Sequence, residues 1–191
     1  MISRPRRKKQ TWTLPALLIA LLVVLAVILF LPSFKASDEE TEAEKTTLVN
    51  RGDVAPNFTV ELFDGERVML SDLRGKVVLV TFWATWCPPC RQEMSHVEEE
   101  IIRPYMGEEF AFLPISRGEK RDAVAAFRQK QGYTFPMGLD PDRAIYDRYA
   151  SNFIPRNFLI DKQGRVVMTT VGFDADEFAL LKQTIEQEMK K

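Results

Sequence analysis

The sequence predicts an α/β sandwich built on a mixed sheet. Three observations carry that prediction. From residue 58 to the C terminus, segments with a two-residue apolar period alternate with segments at helical spacing. The run Lys76–Trp83 is apolar almost throughout, the pattern of a strand buried on both faces. The polar turn Lys162-Gln163-Gly164 joins the last two strands directly, adding a hairpin to strands otherwise joined by helices.

The elements follow in order. Phe58-Thr59-Val60-Glu61-Leu62 and Arg67-Val68-Met69-Leu70 alternate, and Asp64-Gly65 between them marks an N-terminal β-hairpin extension. Ser71–Gly75 is a turn into the Lys76–Trp83 strand. A helix starts at Pro88, because Pro88 and Pro89 suit first-turn positions whose N–H groups would lack partners. Met94, Val97 and Ile101 share one side of it, Glu98, Glu99 and Glu100 include its wet face, and Pro104 ends or kinks it. Phe110–Ser116 is the next strand, and Arg121–Gln131 a helix closed by Gly132. A short helix is expected at Arg143–Tyr149, then strands at Asn157–Asp161 and Arg165–Met168. The last helix, Asp176–Met189, sets Phe178, Leu181 and Ile185 at helical spacing.

The N-terminal part differs in kind. Arg4, Arg6, Arg7, Lys8 and Lys9 make a basic tail over residues 1–11. Leu14–Leu31 carries no charged or polar side chain over 18 residues, roughly 27 Å as a helix, close to the thickness of a bilayer core. Trp12 suits the interface at its start. The segment 12–32 therefore reads as a transmembrane signal-anchor, its tail cytoplasmic and the rest exported. A cleaved secretory signal is the competing reading, but the apolar core is long and Pro32-Ser33-Phe34-Lys35-Ala36-Ser37 lacks a good small-x-small site. Residues 33–49 are acidic and aperiodic and read as a linker, leaving 50–191 as the folded domain.

Composition narrows the chemistry. From Thr46 onward, 19 basic side chains face 22 acidic ones, with no basic patch for nucleic acid. The only cysteines, Cys87 and Cys90, form one C-x-x-C between the buried strand and the helix that follows. A bridge closing so short a loop adds little stability by chain entropy, which argues for a working pair. Structural zinc wants four ligands, and two cysteines with the single His96 do not supply them, so neither metal nor cofactor is expected. A helix start favours the thiolate of the first cysteine.

With these features in hand, the chain resembles the membrane-anchored thioredoxin-like thiol–disulfide oxidoreductases of the TlpA/ResA type over about residues 50–191. The resemblance rests on Val54-Ala55-Pro56-Asn57-Phe58, on Asp72–Val80, on Phe82-Trp83-Ala84-Thr85-Trp86-Cys87-Pro88-Pro89-Cys90-Arg91-Gln92-Glu93, and on Ile154-Pro155 followed by Phe158-Leu159-Ile160-Asp161. It implies a thioredoxin-like sandwich. Cys87 would be the attacking thiolate and Cys90 the resolving thiol. Pro155 would be cis beside the dithiol, leaving the Ile154 backbone free to pair with an extended substrate. Trp86 would partly cover the site and Trp83 would be core. An acidic residue at Glu93 is associated with the active site in this family, where it would raise thiol pKa and relay the proton of Cys90. A solvated helix glutamate is the other reading of Glu93.

Two departures matter. Cytoplasmic thioredoxins carry a buried aspartate where this chain has Thr81, which leaves Glu93 as the nearer candidate for acid–base work. Where Gly-Ile-Pro-Thr is common, this chain has Phe153-Ile154-Pro155-Arg156. Arg156 either puts a cation near the dithiol or points outward to solvent. His96 sits about 240° around the helix from Cys90 and is expected at the surface.

The resemblance implies a reductase of exported proteins such as apocytochrome c. Its partners would be protein thiol or disulfide substrates, a membrane electron donor, and lipid through the N-terminal helix. The expected place is a bacterial-type inner membrane, with the domain on the extracytoplasmic side. A disulfide donor or isomerase of the same fold is the alternative; Pro88-Pro89 lacks a cation to stabilise a thiolate strongly, which disfavours a powerful oxidant. A thiol peroxidase is disfavoured because Ala84 stands where that pattern has Thr or Ser. A non-enzymatic binding module would leave function intact in Cys87→Ser.

Overall fold

The computed structural model describes residues 19–23 and 41–191. Residues 19–23 are helical and exposed. The rest of the expected membrane segment, the basic tail and residues 33–40 lie outside the described residues. No helix among the described residues is long and apolar enough to cross a membrane.

The compact unit runs from Thr41 to Lys191. Its strands are β1 (Thr59–Leu62), β2 (Arg67–Met69), β3 (Val77–Trp83), β4 (Phe110–Arg117), β5 (Gly138–Asp140), β6 (Arg156–Ile160) and β7 (Val166–Val171). They form one sheet in the order β2-β1-β5-β4-β3-β6-β7. β3 runs parallel to β4 and antiparallel to β6, so the sheet is mixed, as the pattern predicted. All seven residues of β3 are buried, which explains its unbroken apolar sequence. Its own apolar side chains alternate between two cores. Val78, Val80 and Phe82 pack with Phe58, Tyr149 and Phe158 on one face. Val77, Leu79 and Trp83 pack with Met94, Val124 and Ile185 on the other. Each such side chain contributes about 1.5–3 kcal/mol by leaving water.

Four helices complete the unit: α1 (Glu42–Lys45), α2 (Pro88–Val97), α3 (Arg121–Gln131) and α4 (Ala175–Met189). Gly132 closes α3 at φ 71°, the left-handed conformation expected of it. Asp174 caps α4 by accepting from the N–H groups of Asp176 and Glu177. α2 does not stop at Val97. It runs through a π turn, Glu98–Ile102, into a last turn, Arg103–Tyr105, which holds Pro104.

Two expectations are corrected, and one strand escaped the sequence reading. β5 carries no alternation signal: it is three residues long and begins at Gly138, where a Cβ would come within 2.6 Å of Val60 Cγ2. The helix expected over Arg143–Tyr149 is only the single turn Tyr146–Arg148. The stretch 41–49 is not a free linker. α1 has a capping box from Thr41 and Glu44, Leu48 N–H donates to the Tyr149 carbonyl, and Val49 is buried. The folded unit thus begins before residue 50.

Candidate active site

The central strand β3 ends at Trp83, and the chain turns past its end into α2, of which Cys87 is the N-cap. With Pro88 and Pro89 lacking N–H groups, the Cys90 N–H turns back and donates to Cys87 Sγ at 3.2 Å. The two sulfurs are bonded at 2.13 Å with their Cα atoms 5.3 Å apart. Cys87 is 3% exposed and Cys90 0%, so Cys87 is the outer sulfur by a narrow margin. The loop before the pair is held from the side by Glu119. Its carboxylate accepts from Thr85 N–H at 2.8 Å, Thr85 Oγ1 at 2.5 Å and Ser116 Oγ at 2.8 Å.

The Ile154–Pro155 peptide bond is cis, as the resemblance implied. The Ile154 carbonyl oxygen lies 3.6 Å from Cys87 Sγ. Tyr146 Oη fixes this loop by donating to the Phe153 carbonyl at 2.7 Å. Trp86 and Phe153 remain exposed, at 61% and 41%. Trp86 is thus largely exposed, while Trp83 is buried and packs on Phe127.

Arg156 does not point outward to solvent; it is fully buried. Its guanidinium donates to the Asn152 carbonyl at 2.9 Å, Thr47 Oγ1 at 2.6 Å, the Ala43 carbonyl at 2.9 Å and Thr46 Oγ1 at 2.7 Å. The residue ties the cis-proline loop to the N-terminal segment, using the fork of donors only arginine has.

Glu93 is not a solvated helix residue. It lies one turn after Cys90 on α2 and is 2% exposed. Asn157 Nδ2 donates to its Oε1 at 2.8 Å and to Thr170 Oγ1 at 2.9 Å, while Thr81 Oγ1 donates to Asn157 Oδ1 at 2.5 Å. Glu93 Oε2 is buried with no partner. Burial pushes the Glu93 carboxyl up to about 7; the Asn157 bond opposes this, and the charge of Glu177 adds to it. A carboxyl so placed can take or give a proton near neutrality.

The structure thus brings Cys87, Cys90, Ile154 and Pro155 together, sets Glu93 one turn below the pair, and ties Arg156 to the N-terminal segment. Glu119 and Asn157 escaped the sequence reading. Asn157 had a signal, since it opens an otherwise apolar strand opposite Thr81. Glu119 had none, because it lies in a loop far along the chain from Thr85. His96 is half-exposed as expected, paired with Glu100 and stacked on Phe173.

Residues 51–169 match the AhpC/TSA family. The thiol-disulfide oxidoreductase ResA of Bacillus subtilis (strain 168) is 36% identical over 124 residues, 65% of this chain and 69% of that protein. A solution structure assigned as a protein disulfide isomerase from Bacteroides thetaiotaomicron superposes with a TM-score of 0.73 at 42% identity, over 76% of this chain and 94% of that one. A crystal structure assigned as the thiol:disulfide interchange protein DsbE from Chlorobium tepidum gives 0.68 at 30% identity, over 74% and 99%.

Proposed function

The chain belongs to the AhpC/TSA family and is a thiol–disulfide oxidoreductase of thioredoxin-like fold, and from that premise we propose that it reduces disulfides of exported proteins, apocytochrome c among them. One observation supports the direction of attack: Cys87 Sγ is the outer sulfur and faces the Ile154 carbonyl across 3.6 Å. An extended substrate lying along Ile154 presents its disulfide to that sulfur. The Cys87 thiolate attacks, one substrate thiolate leaves, and a mixed disulfide forms. The Cys90 N–H that reaches Cys87 Sγ favours the thiolate before attack. Glu93 then takes the Cys90 proton, and the Cys90 thiolate displaces the second substrate sulfur to restore the Cys87–Cys90 bond. Trp86 offers the client an exposed apolar face.

The proposal includes the place of work. The apolar run Leu14–Leu31 anchors the chain in a bacterial-type inner membrane, with the domain on the outer side, and a membrane protein returns electrons to the dithiol. A disulfide-isomerase or donor role is a second reading, favoured by the assignment of the Bacteroides neighbour. The reduction potential separates them: about −270 mV supports a reductase and about −120 mV an oxidant. Trapping tests the exchange itself. Cys90→Ala should accumulate client proteins disulfide-linked to Cys87 in cells, and Cys87→Ala should not. If neither variant holds a covalent partner, the exchange mechanism is wrong.

A further inference from the structure

Glu93 Oε2 is buried and has no partner, yet it belongs to a residue that lines a cavity. The cavity holds about 10 Å³, close to the room one water needs, and Asn157, Thr170 and Glu177 also line it. Thr170 and Glu177 line a second space as well. This is a groove of about 290 Å³ whose other wall includes Thr41, Ala43 and Thr47 of the N-terminal segment. Glu177 is half-buried in the first turn of α4 and so lines both the small cavity beside Glu93 and the groove. The charged groups around this line are Glu177 and Asp174 from α4 and Glu44 from α1; Asn157 and Thr170 from the sheet are neutral. Among the described residues, no basic side chain lines either space.

We propose that Glu177 is the second station of a proton route. Glu93 passes the proton it receives from Cys90 through one water in the cavity to the Glu177 carboxylate, which releases it to solvent along the groove. The inference rests on the reading of Glu93 as acceptor of the Cys90 proton. Cys90–SH and Glu93 carboxylate become Cys90 thiolate and Glu93 carboxylic acid. The thiolate attacks Cys87 Sγ of the mixed disulfide, and the substrate sulfur leaves with the electron pair of the broken bond. Glu93 returns to carboxylate by giving its proton to the water, which gives one to Glu177, which gives one to bulk. Two electrons pass from the dithiol to the substrate, and one proton leaves by this path. Glu177 acts through Glu93 and is a positioning residue for the proton, not a group that meets substrate.

Mixing reduced protein with excess dithiobis(nitrobenzoate) tests the route, because one coloured thiolate leaves when Cys87 attacks and a second when Cys90 closes the bond. Glu177→Gln should leave the first phase at the wild-type rate and slow the second about tenfold at pH 7. Added imidazole, a mobile proton carrier, should restore the second phase of Glu177→Gln in proportion to its concentration. Glu177→Asp should stay within about threefold of wild type, and Glu93→Gln with Glu177→Gln should be no slower than Glu93→Gln alone. A slowed second phase that imidazole does not restore marks a structural role and overturns the route. So does a wild-type second phase in Glu177→Gln while Glu93→Gln is slow. If Glu93→Gln itself leaves the second phase unchanged, the underlying reading of Glu93 falls instead.

Discussion

Asn157 Nδ2 donates to Glu93 Oε1 at 2.8 Å, a bond that joins the central sheet to the helix carrying the disulfide. Among the described residues it is the one contact that favours the charged form of a carboxyl otherwise pushed toward neutrality. Because the same amide also serves Thr81 and Thr170, a single side chain organises the polar groups beneath the redox pair.

Asn157→Leu removes that donor. The Glu93 carboxyl should then titrate above about 7, read from the side-chain carbon shifts of labelled glutamate. Thr81 and Thr170 lose their partners too, so the oxidised protein should lose about 1–3 kcal/mol in urea unfolding. A Glu93 titration midpoint at or below that of the wild type would contradict the assigned role of Asn157.

Glu93→Gln tests the cost of the buried carboxyl. In the folded protein its pKa is raised from 4.5 to about 7. Between those values the native state holds a proton that the unfolded state has released. Wild-type stability should therefore be full below pH 4.5, fall as pH rises toward 7, and level off above it. The loss should be about 3 kcal/mol, and Glu93→Gln should lack this slope. Urea midpoints of both oxidised proteins at pH 4 and pH 8 decide it; parallel curves would count against a perturbed Glu93.

Arg156→Lys should release the N-terminal segment. A lysine ammonium has three donors on one nitrogen and cannot span acceptors on Ala43, Thr46, Thr47 and Asn152. The expected loss is about 2–4 kcal/mol. Hydrogen exchange supplies a local readout. The Leu48 amide, bonded to the Tyr149 carbonyl, should exchange faster while amides inside α2 keep their protection. Unchanged exchange at Leu48 would show that the clamp lies elsewhere.

Much of this was legible in the residues, for physical reasons that can be named. Lys76–Trp83 read as a buried strand because both faces of β3 are covered, and Pro88-Pro89 fixed the start of α2 because a first turn has no use for their missing N–H groups. Glu93 was half legible. Helical spacing put it one turn from Cys90, but its burial depends on Asn157 and Thr170, strands away in the sequence. The burial of Arg156 was missed because three of its four acceptors lie more than 100 residues earlier. No local pattern in Phe153-Ile154-Pro155-Arg156 announces such partners. Residues 41–49 looked like linker for the same reason: their charge suits solvent, and their anchor is a distant arginine.

The anchored N-terminal stretch also bears on solubility. β7 is the last strand of the sheet, and a bare strand margin is a template on which other chains can polymerise. Here Gly52 N–H donates to the Val166 carbonyl, Val166 N–H donates to the Asp53 carbonyl, and Thr41 to Thr47 flank Thr169–Val171. The opposite margin, β2, is only three residues long. By holding that stretch down, Arg156 helps keep this margin of the sheet covered against foreign strands, a safeguard against self-association.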